Sequence, residues 1–226
     1  ARVSTPNPPG SERDELHQLY MEGVRYHDHY LGELLDRLKA QGLYDRSVIA
    51  VTADHGEEFH EHDGWWHGTT LYEEALHVPL IIKRPNEPEP GHVRTDLARS
   101  LDIAPTLVAA AGVPPASTFQ GIDLFTGTVN EPLLAEEDLE GNKLTSLRTG
   151  DWKLITANPG NPRGLQPHEL YDLASDPKES RNVASDQSGK VADMLAQLDQ
   201  MKARIVRGGR SAAGDTAREH AADPGS

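Results

Sequence analysis

Seven residues, Ser47-Val48-Ile49-Ala50-Val51-Thr52-Ala53, run almost without a polar break into Asp54-His55-Gly56. An apolar run of this length suits a strand covered on both faces, inside a sheet that carries helices on either side. The residues before it agree. Leu16, Leu19, Tyr20, Val24, His27, Leu31, Leu34, Leu35 and Leu38 recur at spacings of three and four. That stripe predicts one long helix, with Ser11 and Asp14 as a variant capping box and Gly42 as its stop. A helix that feeds a buried strand is the pattern of an α/β sheet.

The alternation continues downstream. Residues 69–76 predict a short helix. Val78-Pro79-Leu80-Ile81-Ile82-Lys83 predicts a second strand, with its proline near the start, where a missing N–H is tolerated. Residues 96–111 predict a helix interrupted by Pro105 and closed by Gly112. After Pro114-Pro115 the character changes. Residues 144–156 alternate about Thr149-Gly150-Asp151 and predict a hairpin. Glu169-Leu170-Tyr171-Asp172-Leu173 predicts a further short strand. Val191, Met194, Leu195, Leu198, Met201 and Ile205 mark a terminal helix, expected to cover a small antiparallel sheet beside the main one. The expected division is therefore an α/β unit over 1–115, carrying a polar loop at 54–68, and an antiparallel unit with a terminal helix over 116–207. A tail over 208–226, rich in Gly, Ala and charge, is expected to be disordered.

The 226 residues suffice for a sizeable core. A net charge of −14, from 36 acidic and 22 basic residues, excludes a nucleic-acid binder, which needs a basic face. An anionic substrate would have to be drawn in by local groups or a metal, against the overall field. With no cysteine, the chain can form no disulfide, thiolate zinc site or cysteine nucleophile. No stretch reaches the length of a transmembrane helix. Residues 1–10 carry no initiator Met and no apolar signal core, and read as a loop entered from something upstream. Periplasmic and cytoplasmic locations both stay open, as does the oligomeric state.

The candidate chemistry lies just past the apolar run. Ligands of open α/β sheets bind at the carboxyl ends of strands, where Asp54 and His55 fall. A carboxylate and a neutral imidazole are half of a cation site, and Gly56 lets the backbone turn sharply after them. The alternative is a strand that ends in a turn, with Asp54 capping the next helix. The loop that follows favours a cation. His55, His60, His62 and His67 are interleaved with Asp54, Glu57, Glu58, Glu61 and Asp63, and no Lys or Arg intervenes. Taken singly, His60 and His62 read as surface or supporting residues. His67 follows Trp65-Trp66. It is either a core histidine bonded to a carbonyl, or a group that binds an anion when charged or donates a proton.

Several segments in order resemble the sulfatase family of the alkaline-phosphatase superfamily. They are Val51-Thr52-Ala53-Asp54-His55-Gly56-Glu57-Glu58, Glu61-His62, His67-Gly68-Thr69-Thr70-Leu71-Tyr72-Glu73-Glu74 and His77-Val78-Pro79-Leu80-Ile81-Ile82. Ser100-Leu101-Asp102-Ile103-Ala104-Pro105-Thr106-Leu107, Ser146-Leu147-Arg148-Thr149-Gly150-Asp151-Trp152-Lys153-Leu154-Ile155 and Glu169-Leu170-Tyr171-Asp172-Leu173 agree with it too. The resemblance covers roughly residues 12–206, and several ordered motifs are far more specific than one.

The resemblance implies the C-terminal portion of an α/β, alkaline-phosphatase-like sandwich. A central mixed sheet is flanked by helices, and a small antiparallel subdomain is appended. It implies hydrolysis of a small-molecule or glycan sulfate ester. Asp54 and His55 would ligate one divalent metal ion, typically calcium in this family. His replaces the more usual Asn at the second position, which brings manganese and zinc into range. His67 would take the place of a sulfate-holding lysine, as a substrate-binding and catalytic residue. The family's nucleophile is a formylglycine made from Cys or Ser in a Cys/Ser-x-Pro-x-Arg motif, and that motif is absent here. The formylglycine is therefore expected upstream, and this chain alone is expected to be inactive. A phosphoester or phosphonate hydrolase of the same superfamily, or a non-catalytic remnant, would share Asp54-His55-Gly56.

Overall fold

The computed structural model describes residues 10–87 and 91–221. The chain opens with helix α1 (Gly10–Ala40). Its end is the one the sequence predicts. Gly42 sits at φ +65°, and the Gly42 and Leu43 amides bond back to the Lys39 and Leu38 carbonyls, as in a Schellman motif. The start differs: the helix begins at Gly10, so Ser11 lies inside it. The apolar stripe is not buried either. Leu19, Tyr20, Val24 and Leu34 are all exposed.

Strand β1 (Ile49–Thr52) forms in the apolar run and pairs antiparallel with β4 (Leu80–Lys83), Ile49 opposite Lys83 and Thr52 opposite Leu80. The expectation of a strand covered on both faces needs correction. Along β1 half-buried and exposed residues alternate, and Ile81 on β4 is 64 % exposed. Every strand pair among the described residues is antiparallel, so the expected mixed central sheet is present only as this two-stranded piece. The physical reason is the same for α1 and β1: the described residues contain no second layer to cover these faces.

Between β1 and β4 come the short hairpin β2 (Glu58–Phe59) and β3 (Trp65–Trp66), and the single-turn helix α2 (Glu73–Leu76). Helix α3 (Ser100–Ala110) follows, with Pro105 inside it and Gly112 at φ +78° just beyond.

The C-terminal part is an antiparallel sheet in the order β5 (Leu133–Leu139), β6 (Asn142–Thr149), β7 (Trp152–Ala157), β8 (His168–Asp172). Its first turn, Glu140-Gly141, has positive φ at both residues, the geometry that matches strand twist in two-residue hairpins. The hairpin predicted around Gly150-Asp151 is β6–β7, with Thr149 opposite Trp152. Period-two alternation sorts its apolar side chains onto two faces. Leu147, Leu154 and Leu170 pack under Val191, Met194 and Leu198 of helix α4 (Ser188–Ala221). Leu144, Ile155 and Tyr171 pack against Leu71 and Tyr72, just before α2. The sheet is thus sandwiched between the terminal helix and the segment that follows the polar loop. The tail expected to be disordered from Gly208 continues α4 as far as Ala221. Its Ala, Arg and Glu residues are strong helix formers, which offsets the cost of Gly208-Gly209. Residues 222–226 lie outside the described part.

Candidate metal and anion site

Strand β1 delivers Asp54 and His55 side by side. The Asp54 carboxylate accepts the His55 backbone N–H at 3.0 Å, and its Oδ2 lies 3.7 Å from His55 Nε2. His55 Nδ1 is 2.8 Å from the Gly56 carbonyl, so that nitrogen carries the proton and donates it. In the neutral ring the lone pair then sits on Nε2, facing the carboxylate. This donor set, one carboxylate oxygen and one oriented imidazole nitrogen, fits a divalent cation. Asp54 is 89 % exposed in its side chain, so it is open to a ligand and carries little of the packing.

Gly56 is a close-approach glycine. Its N–H bonds to the Ala75 carbonyl at 2.9 Å, and a Cβ would sit 1.9 Å from the Glu74 carbonyl oxygen. The chain then makes the β2–β3 hairpin and returns His67 to the same place. Three non-glycine residues adopt left-handed backbone on the way: His60, Asp63 and Trp66, at φ +75°, +63° and +73°. For a residue as bulky as tryptophan this is a strained conformation, of the kind that persists where surrounding contacts over-determine it. It sits immediately before His67. The His67 ring stacks on His55 with centroids 3.9 Å apart, and its Nδ1 lies 3.0 and 3.1 Å from the two oxygens of Glu57. Asp54, His55 and His67 line one cleft with Thr70, His77 and Arg148. The three residues singled out in the sequence are therefore brought together.

Behind this cleft is a layer of buried charge. His62 is no surface residue. Its Nδ1 lies 2.5 Å from Glu74 Oε1 and its Nε2 3.0 Å from the Glu179 carbonyl. Both partners are acceptors, so both nitrogens donate and the ring is an imidazolium. Burial opposes that charge, but the hydrogen bond and field of Glu74 outweigh it and push His62 up to about 9. Glu58, His62 and Glu74 are close enough together to suggest a second cation site. Their chemistry argues against one, because His62 offers no lone pair and Arg163 already donates to Glu58 at 2.6 Å. Burial pushes the Glu58 carboxyl up, with Arg163 pulling against it.

Lys153, 1 % exposed, lies 3.0 Å from Glu73 and 2.9 Å from the buried Glu179, while Arg148 holds the other oxygen of Glu73 at 2.9 Å. Burial alone would raise the Glu73 carboxyl, but Lys153 and Arg148 more than reverse this and hold it below its ordinary value. Sequence reasoning did not find Glu57 as the partner of His67, nor Arg148, Lys153, Arg163 and Glu179 as contributors. A lysine between the apolar residues of a hairpin strand was a signal for Lys153. Arg163 lies in a polar loop that gave none.

Comparison with known proteins gives a family and several structural relatives. The family model described as Sulfatase matches residues 2–113. Arylsulfatase K of Bos taurus is 30% identical over 194 residues, 79% of this chain and 34% of that protein. The chain thus spans about a third of the length of the curated relatives it matches. One solved structure, of a protein in complex with its substrate D-glucosamine-2-N,6-O-disulfate, superposes with a TM-score of 0.67 at 26% identity, over 83% of this chain and 40% of that one. The phosphonate monoester hydrolase of Silicibacter pomeroyi superposes with a TM-score of 0.62 at 28% identity, over 80% and 39%.

Proposed function

The chain belongs to the sulfatase family of the alkaline-phosphatase superfamily, and from that premise we propose that the whole protein hydrolyses a sulfate ester at the Asp54–His55–His67 cleft. The observation that carries this reading is the stacking of His55 and His67 at 3.9 Å, which puts a metal-type donor set and a potential anion-binding ring in one place. Asp54 and His55 would hold a divalent cation. Calcium is the family's usual ion, and the imidazole ligand also suits manganese or zinc. When bound, such an ion supplies positive charge that polarises the ester oxygens. His67 holds an oxygen of the sulfate group, or gives a proton to the leaving oxygen. Glu57 keeps its ring against His55. No nucleophile is assigned within these residues; a formylglycine supplied by another part of the protein is the family's solution. The sulfated sugar carried by one structural relative makes a glycan sulfate ester a reasonable substrate class.

The phosphonate hydrolase among the structural relatives supports a second reading, a phosphonate or phosphate ester substrate at the same cleft. One experiment addresses both. The whole protein is assayed on aryl sulfate, aryl phosphate and aryl phosphonate esters with added calcium, manganese or zinc, beside Asp54→Ala. The sulfate ester should be preferred. Asp54→Ala should cost about 10²–10³ in kcat, the scale of losing one electrostatic element of a site. Its melting temperature should stay close to wild type, because the side chain is exposed. Full metal-dependent activity in Asp54→Ala would refute the site.

A further inference from the structure

We propose that Arg163, in the loop between β7 and β8, is a positioning residue for His67. It acts by fixing the β2–β3 hairpin that carries His67. The inference rests on the reading of His67 as a substrate-binding group.

The argument begins with what holds the hairpin. A strand pair of two residues each contributes little by itself. Besides the ring contacts of Phe59 and Trp65, one buried carboxylate ties the hairpin together. Glu58 is fully buried, and its Oε1 accepts the Gly64 N–H at 2.9 Å, the His62 N–H at 3.2 Å and Arg163 Nη2 at 2.6 Å. The same Nη2 also donates to the His62 carbonyl. One guanidinium thus contacts the hairpin through a side chain and a main-chain oxygen, from about 100 residues further along the chain. The fit is close. A Cβ at Gly64 would lie 2.3 Å from the Arg163 guanidinium carbon, so any larger residue there would push the arginine head aside. Arg163 is itself anchored, its N–H bonded at 3.0 Å to the side-chain oxygen of Asn142, which is fully buried.

The consequence for His67 follows from register. Glu58 pairs with Trp66, so Glu57 and His67 are the next residues outward on the two strands. They are the two whose side chains meet through Nδ1. Trp66 is held at φ +73°, a backbone state that relaxes unless its surroundings enforce it. Without Arg163 the buried carboxylate of Glu58 would lose the one guanidinium that donates to it, and the His62 carbonyl would lose the same donor. The hairpin would have to open toward water, and the ring of His67 would leave its place against His55. An error of about 1 Å in such a group can cost on the order of 10²-fold in rate.

The test uses the whole protein with four variants: Arg163→Ala, His67→Ala, the double Arg163→Ala/His67→Ala, and Glu58→Gln/Arg163→Met. The last removes both buried charges together and guards against a simple failure to fold. Three quantities are read: inhibition by inorganic sulfate, kcat/KM on the best ester, and the NMR signals of the His67 ring. Arg163→Ala should weaken sulfate inhibition and kcat/KM by about ten- to a hundredfold. In the His67→Ala background the same change should cost less than about threefold, since residues that act through one another are non-additive. Glu58→Gln/Arg163→Met should melt near wild type, yet show the same loss and a displaced His67 ring signal. A folded Arg163→Ala or Glu58→Gln/Arg163→Met protein with an unmoved ring signal overturns the proposal. So does an equal penalty in wild type and His67→Ala where His67→Ala is itself impaired. If His67→Ala is harmless while loss of Arg163 still displaces the ring, the functional reading of His67 has failed and the positioning role stands.

Discussion

Deprotonating His62 should loosen the joint between the hairpin loop and the C-terminal sheet. The ring is clamped between the Glu74 carboxylate and the Glu179 carbonyl and stacked on Tyr72 with centroids 3.7 Å apart. Around it lie Glu58, Glu74, Asp176 and Glu179 on the acidic side, and Arg163 and Lys153 on the basic side. The folded protein binds the His62 proton more tightly than the unfolded chain does, with a value of about 9 against 6.5. The linked stability is therefore fully present below about pH 6.5 and is lost as pH rises through about 9. The gap of 2.5 units, 9 minus 6.5, corresponds to about 3 kcal/mol at most, at 1.36 kcal/mol per unit. The ring is 13 % exposed, so partial screening brings the expected figure to about 2 kcal/mol. Urea unfolding of wild type and His62→Gln, run from pH 6 to pH 10, reads this directly. Groups that titrate elsewhere are common to both proteins and cancel in the difference. The gap between the two should be about 2 kcal/mol near pH 6.5 and should close by about pH 10. Parallel curves across that range would show that His62 carries no linked charge in the fold.

Two further substitutions probe the same region. Gly56→Ala pushes a Cβ to 1.9 Å from the Glu74 carbonyl oxygen, so α2 must shift; a cost of about 1–3 kcal/mol and weakened binding of added divalent metal are expected by calorimetry, and unchanged values of both would mean that the close approach is not needed. Lys153→Met leaves the fully buried Glu179 without its counter-charge and should cost about 3–5 kcal/mol in denaturant unfolding, most of it recovered in Lys153→Met/Glu179→Gln. A single variant within about 1 kcal/mol of wild type would show that the ion pair is dispensable.

What could be read from the sequence, and what could not, follows from the range of the interactions. Local signals came through. Gly42 ended α1, Gly150-Asp151 made the turn of β6–β7, and the apolar spacing of Val191, Met194 and Leu198 matched the face of α4 that covers the sheet. The juxtaposition of Asp54, His55 and His67 was legible because one loop carries them all, and a strand end places them together. The burial of β1 was not legible, because a run of Val, Ile and Ala states only that a strand can be covered, and the cover depends on a second layer. The ionic layer was missed for another reason. A lone Arg163 in the stretch Asn158-Pro159-Gly160-Asn161-Pro162-Arg163-Gly164 looks like any solvated loop cation. Only the folded chain shows that Glu58 lies at the end of its reach.

That missed layer changes how the C-terminal sheet is to be understood. A purely structural appendage would meet the rest of the chain through apolar contact, as Leu144, Ile155 and Tyr171 do with Leu71 and Tyr72. Apolar contact is non-directional and tolerates small slips. Beside it, however, the sheet and its loops send Arg148, Lys153, Arg163 and Glu179 across to Glu73, Glu58 and the His62 segment. Each buried pair costs desolvation and stabilises only when its geometry is met, so the set discriminates against slipped arrangements more than it adds to stability. The segments it fixes are α2, against which Gly56 turns, and the hairpin, which returns His67 to His55. Charge is placed where register matters, between the C-terminal sheet and the loop that bears the candidate ligands. On this account the sheet is part of the scaffold of the site, and its ionic contacts set the geometry that the loop alone is too short to hold.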